Sequence, residues 1–173
     1  MDTGTIDLIL TNCLRNTNTL FLGVFPRDHI PTLSSVASYP ACCVVNTDPH
    51  DQPGSHWVAL NILSHRQVEF FDSYGQRPSA YALQLPPNVI SNPYDFQSLT
   101  TDVCGHYCIY FLYHRAHNQS FQWIIETLSS YAHFSDSYVK LFINQLVQSA
   151  HLSTPPSHCT GQCSICRCKS NKK

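Results

Sequence analysis

Apolar residues recur at helical spacing over 6–14, where Ile6, Ile9, Leu10 and Cys13 fall on one side, with Thr3 or Thr5 as candidate caps. The next stretch carries Pro26, Pro31 and Pro40 and reads as rich in breakers, until 42–46 (CCVVN) gives a buried strand and 47–54 a loop. Two β-like runs, 55–63 and 67–73, are separated by a short polar link at 64–66 and predict an antiparallel hairpin. With a three-residue link, Leu63 pairs with Gln67 and Asp72 lies opposite Val58, with His56 its diagonal neighbour on the same face. A shift of one residue would send the two to opposite faces. The segment 74–100, with Pro78, Pro86, Pro87 and Pro93, reads mainly as loop.

The pattern then changes. Residues 104–116 (CGHYCIYFLYHRA) are apolar or aromatic almost all round, which predicts a buried central helix, with Thr101 or Asp102 as its cap. A further helix is expected over 121–131. Another over 136–150 is amphipathic, with Tyr138, Phe142 and Leu146 beside Val139, Ile143 and Val147. From 151 onward the composition turns to Ser, Pro, Cys and Lys. The expectation is an α+β domain over 1–150, a small, mainly antiparallel sheet packed by helices, followed by a flexible, basic, Cys-rich tail over 151–173.

Composition narrows the function classes. With 43% hydrophobic residues in 173, the chain can fill a core, and 12% charged residues argue against a disordered polyelectrolyte. A net charge of -1 excludes a globally basic nucleic-acid binder. No apolar run is long enough to span a membrane, and residues 1–30 lack a secretory pattern, so the chain is expected not to be secreted. Nine cysteines, an odd number, suit a reducing compartment better than a disulfide framework.

One of those cysteines stands at a position that favours reactivity. Cys104 opens the buried helix, where the positive end of the helix dipole favours thiolate, and Gly105 leaves the backbone uncrowded for an approaching carbonyl. Cysteine catalysis needs a base and a group to orient it, and the hairpin offers His56 and Asp72. Gln97, seven residues before Cys104, offers a side-chain amide to a developing oxyanion. Each of these also has a plain structural reading: a core thiol, a satisfied strand histidine, a solvated loop glutamine.

Taken in order, His56-Trp57, Asp72, Gln97 and Cys104-Gly105 resemble the cysteine endopeptidase family of adenain, the adenovirus maturation protease. Residues 20–25 (LFLGVF), 44–47 (VVNT), 56–60 (HWVAL), 70–75 (FFDSYG) and 104–114 (CGHYCIYFLYH) extend the resemblance over about 6–145. The resemblance implies an α+β fold and cleavage of viral precursor polypeptides after small or glycine-containing motifs, in the host nucleus or cytoplasm and the virion. It implies Cys104 as nucleophile, His56 as base and then acid, Asp72 as orienter, Gln97 as oxyanion donor and Trp57 as a wall of the cleft. Family members usually carry Glu where this chain has Asp72, which leaves Glu69 a distant second candidate.

Other departures concern activation. The loop 74–96 holds no cysteine to join an activating peptide by a disulfide, although a peptide could still add as a strand. The charge balance makes DNA stimulation weak or absent, and no cofactor is expected to be required. In the tail, Cys159, Cys163, Cys166 and Cys168 are candidate zinc ligands, on a spacing more compressed than that of paired zinc knuckles. Two rival functions remain: a protease of ubiquitin-like (SUMO-type) modifiers, and an inactive capsid or nucleic-acid binding module that keeps the fold.

Overall fold

A computed structural model describes residues 1–152. The expected tail from 153 onward, with Cys159, Cys163, Cys166 and Cys168, lies outside the described residues. Helix α1 (Thr3–Leu14) starts earlier than its apolar spacing predicts. Its cap is Asp2, whose carboxylate accepts from the Thr5 N–H at 2.8 Å, rather than Thr3 or Thr5. Ile6, Leu10 and Leu14, spaced by four, are its buried face.

Five strands follow: β1 (Leu20–Pro26), β2 (Ala41–Asn46), β3 (Trp57–Ser64), β4 (Gln67–Phe71) and β5 (Ile90–Ser91), paired in that order. The central pairs β2–β3 and β3–β4 are antiparallel, and the outer pairs β1–β2 and β4–β5 are parallel. Strand β1 falls in the stretch expected to be irregular. It is an edge strand broken by an irregularity between Phe21 and Val24, with Gly23 at φ +120° and Pro26 at its end. Those features erase the alternation by which a strand is read.

The β3–β4 register rests on a different device from the three-residue link. Ser64 pairs with Gln67 across a two-residue turn, and the ladder slips at Leu63, so Leu63 does not pair with Gln67. The extra residue in β3 restores the alignment, and Ala59 stands opposite Phe71, Leu60 opposite Phe70 and Ile62 opposite Val68. Continued one step, that ladder sets Val58 against Asp72.

Alternation along the strands divides the core in two. Cys42, Val44, Ala59 and Phe71 face the helices, while Ala41, Cys43, Val45, Val58, Leu60, Ile62, Val68 and Phe70 face the other way, beneath Leu33, Tyr81 and Leu83. On the helical side lie α2 (Cys104–Ala116), α3 (Phe121–Tyr131) and α4 (Ser135–Leu152). Helix α2 is central, packed on β3, α1 and α4, and it buries Tyr107, Cys108, Ile109, Tyr110, Phe111 and Leu112. The architecture is α+β, a five-stranded sheet packed against helices.

Two further contacts fix where the end of β4 and the start of α2 lie relative to each other. Phe71, the last residue of β4, stacks on Phe96 (6.1 Å between centroids) and on Phe111 of α2 (4.9 Å). Burying such a ring is worth about 1.5–3 kcal/mol. It therefore anchors the chain immediately before Asp72, immediately before Gln97, and along α2. Asp136, in the first turn of α4, accepts from the Thr101 hydroxyl at 2.7 Å and from the Ser98 N–H at 3.2 Å, tying down the segment that leads into α2.

Candidate active site

The N-terminus of α2 has no side-chain cap. Val103, buried, holds the position where Thr101 or Asp102 was expected; its side chain has no oxygen to cap the helix, and its carbonyl accepts from the His106 and Tyr107 N–H groups at 2.9 and 3.2 Å. The absence of a side-chain cap leaves the Cys104 and Gly105 amides available to an electron-rich group other than a cap. Cys104 is the first residue of that turn and is 8% exposed.

His56 lies just before β3, where its carbonyl accepts from the Thr47 N–H at 2.9 Å. Its Nε2 is 2.6 Å from Asp72 Oδ1, and both side chains are buried. Its Nδ1 is buried and makes no hydrogen bond of good geometry. The Cys104 thiol neighbours the ring and acts on its charge. Burial by itself opposes ionisation of His56, but the hydrogen bond to Asp72 and then the Cys104 sulfur outweigh it and raise the imidazole to about 9. Burial likewise opposes the Cys104 thiolate. The polar contact with His56, the Trp57 N–H, the charge of His56 and the Gly105 N–H bring its pKa below the ordinary 9.0. The pair favours thiolate and imidazolium together.

Asp72 is fully buried and accepts four hydrogen bonds: from His56 Nε2, the Tyr74 N–H (3.0 Å), the Gln76 N–H (3.0 Å) and the Tyr81 hydroxyl (2.7 Å). Burial works against its charge, and His56, Tyr74 and Tyr81 together hold the carboxyl below its ordinary value. Glu69, the second candidate, is committed elsewhere. It accepts from Asn61 at 2.7 Å and from Arg115 of α2 at 2.6 and 2.9 Å, a buried pair within the sheet-to-helix packing.

Gln97 is buried at the end of the loop before α2. Its Oε1 accepts from the Ser73 hydroxyl at 2.7 Å, and its Nε2 donates to the Thr101 carbonyl at 2.7 Å and to the Tyr74 hydroxyl at 3.1 Å. Because a carbonyl only accepts, the bond to Thr101 fixes which end of the amide is nitrogen. The Ser73 carbonyl also accepts the N–H groups of Phe96 and Gln97, which joins the segment carrying Asp72, just after β4, to the loop carrying Gln97.

Trp57 is half-buried, and its indole N–H donates to the Met1 carbonyl at 3.3 Å. For Gly105 the structure corrects the expected reason for glycine. A Cβ there would lie 3.1 Å from Ile6 Cδ1 and 3.3 Å from Met1 Cβ, so the missing side chain admits α1 rather than an incoming carbonyl.

Three residues that the pattern reading passed over complete the arrangement. Buried Asn92 accepts the Asp72 N–H at 2.9 Å and donates to the Asp72 carbonyl at 2.7 Å and to the Tyr94 carbonyl at 2.8 Å, clamping the backbone under the carboxylate. Tyr74 stacks on the His56 imidazole at 4.7 Å, and Tyr81 lies tilted against the same ring at 5.8 Å. All three sit in or beside a proline-rich loop, where no periodicity marks one polar residue over another.

Among the described residues, Asp28, His29 and His50 bring metal-binding atoms within 4.8 Å of one another. All are exposed, His50 Nδ1 already pairs with Asp28 at 2.6 Å, and the imidazoles stack at 4.6 Å and 19°. No described helix is long and apolar enough to cross a membrane.

No family model matches the chain, and no curated protein does. Among solved structures, it is similar to the central domain of the uncharacterized Lpg1148 protein from Legionella pneumophila, with 16% identity and a TM-score of 0.48, over 84% of this chain and 96% of that one. It is similar to the SUMO protease Ulp1 with its catalytic cysteine oxidized to a sulfinic acid, at 13% identity and a TM-score of 0.45, over 80% and 78% of the two chains. A third likeness is to the ASFV pS273R protease, at 23% identity and a TM-score of 0.33, over 56% and 42%. All three lie below a TM-score of 0.5 and carry no argument about this chain, whose reading rests on the geometry of the site.

Proposed function

We propose that the chain is a cysteine endopeptidase of the adenain-like kind, cutting viral precursor polypeptides after small or glycine-containing motifs. The observation that carries the reading is His56 set between buried Asp72 and Cys104, with the thiol made more acidic at an uncapped helix start. The substrate class rests on the resemblance of the motifs and their order.

In this mechanism the Cys104 thiolate forms a bond to the scissile carbonyl carbon, and the carbonyl π electrons move to oxygen. The Cys104 N–H donates to that oxygen, and the Gln97 amide supplies the side-chain support of the oxyanion pocket. The oxyanion then collapses, the C–N bond breaks, and the His56 imidazolium gives its proton to the leaving amine. A water attacks the thioester, passing its proton to His56, and the C–S bond breaks to release the acid and restore the pair. Asp72 stays ionised throughout and holds the imidazole in place. The reading needs no metal and no nucleic acid for these steps.

The test is to incubate the chain with a mixed peptide library under reducing conditions and to identify cleaved bonds by mass spectrometry, beside Cys104→Ala. Internal cleavage after small residues, absent in the variant, supports an endopeptidase. Turnover confined to C-terminal conjugates of a ubiquitin-like modifier would shift the assignment to a deconjugating enzyme. No turnover of either kind, with a folded chain, would leave the inactive-module reading.

A further inference from the structure

The Tyr74 hydroxyl is hydrogen-bonded to Gln97 and its ring lies against His56, and the mechanism above gives it no part. Both N–H bonds of the Gln97 amide are occupied. One goes to the Thr101 carbonyl at 2.7 Å, four residues away in the same loop, and the other to the Tyr74 oxygen at 3.1 Å. The phenol therefore accepts from the Gln97 N–H not taken by Thr101, while no hydrogen bond donated by its own proton is seen among the described residues. The ring cannot drift far, because it stacks on His56 at 4.7 Å and the Tyr74 backbone N–H donates to Asp72. Burial, the Cys104 thiolate and Asp72 all raise the phenol pKa, so the hydroxyl keeps its proton through neutral pH.

We propose that the Tyr74 hydroxyl is the side-chain donor that meets the oxyanion, held and polarised there by the Gln97 amide, which acts through it. The proposal rests on the peptidase reading and deepens it. A hydroxyl that accepts one hydrogen bond donates a stronger one, so a Gln97–Tyr74–oxygen chain stabilises the tetrahedral intermediate more than a lone amide. No proton is transferred in this step. The hydroxyl hydrogen-bonds the oxyanion while it exists and reverts to its resting contact when the C–N bond breaks.

Two measurements separate this role from its rivals. Iodoacetamide alkylates the Cys104 thiolate by displacing iodide at a saturated carbon and builds no oxyanion, whereas hydrolysis of a peptidyl coumarin amide does. In the full chain, Tyr74→Phe is expected to keep the alkylation rate within about twofold and to lose up to about 10²-fold in kcat, with KM little changed. Combined with Gln97→Ala, its effect should be less than multiplicative, because the two donors act as one unit. Wild-type or faster hydrolysis by Tyr74→Phe would overturn the proposal and mark the hydroxyl as an obstruction to Gln97. Equal losses in alkylation and hydrolysis would overturn it too, assigning Tyr74 to the support of His56. If Tyr74→Phe does not fold, 3-fluorotyrosine at position 74 keeps ring and hydroxyl while strengthening the donor. At pH 6.5 its kcat should match or exceed wild type, and a fall would count against the proposal. A wild-type chain that is alkylated at Cys104 but hydrolyses no peptide would overturn the peptidase reading itself, a result distinct from failure of Tyr74 in an active enzyme.

Discussion

Cys104 and Cys108 sit one helical turn apart on α2, and both are nearly inaccessible, at 8% and 1% exposure. Their chemistry runs in opposite directions. Burial pushes the Cys108 thiol well above its ordinary value, and the neighbouring Cys104 and Asp72 charges add to the rise. Cys43, fully enclosed in the opposite core, is raised to about 12 for the same first reason. Burial opposes the Cys104 thiolate too, yet its pKa falls, because His56 and the N–H groups of Trp57 and Gly105 act on its sulfur. Helix position alone does not make a reactive thiol here. The donors brought by β3 decide it.

Substituting each thiol in turn puts this contrast to its hardest test. Cys104→Ala should lower peptide hydrolysis by about 10⁴-fold or more, while Cys108→Ala should leave kcat within a few-fold; coumarin-amide assays on both decide it. A Cys108→Ala loss equal to that of Cys104→Ala would mean that both thiols belong to one functional unit. Asp72→Asn comes next. It keeps the shape but removes the charge that holds the imidazolium, and about 10²–10⁴-fold should be lost from kcat. Iodoacetamide should then need a higher pH to reach the thiolate, and an unchanged alkylation profile would show that Asp72 does not govern the pair.

A pH profile resolves the same two thiols more finely. Alkylation of Cys104 should rise with pH below the ordinary thiol value of 9.0, in contrast to Cys108, which should remain unmodified in the native chain. Hydrolysis should fall as pH passes about 9, where His56 loses the proton that the leaving amine requires. Both limits belong to the coupled pair, so His56→Ala should move the alkylation limb upward rather than abolish it. The smaller effects concern stability. Asn92→Ala leaves the Asp72 N–H and carbonyl without their buried partner and should cost about 1–3 kcal/mol in urea denaturation. Cys108→Ala should cost about 1 kcal/mol through the small void it leaves. A loss larger than that of Asn92→Ala would place the critical packing under α2 rather than under the carboxylate.

Helices were the most legible part of the chain. The all-apolar character of 104–116 marks α2 to the residue, and the stripe at Tyr138, Val139, Phe142 and Ile143 marks α4 to within two residues. Local spacing suffices there, since a helix closes its own hydrogen bonds. Strand β1 was hidden, because its pairing with β2 is parallel and non-local and its pattern is interrupted at Gly23. The order His56, Asp72, Gln97, Cys104 was also visible, as residue types whose chemistry belongs together.

What that order could not supply was distance. His56 and Cys104 are 48 positions apart, and only the packing of β3 on α2 sets one beside the other. The bulge at Leu63, which keeps Ala59 opposite Phe71 despite a two-residue turn, is a property of the paired strands and of neither alone. The same is true of Asn92 beneath Asp72 and of Tyr74 between His56 and Gln97, side chains drawn together from separate parts of the chain. Local pattern and residue type were enough to say which segments form helix or strand, and which side chains carry reactive chemistry, because neither depends on distant neighbours. That the Cys104 thiol ionises despite its burial was decided by packing, because a pKa depends on the donors and charges within a few ångströms, and His56 and Trp57 arrive from far along the chain.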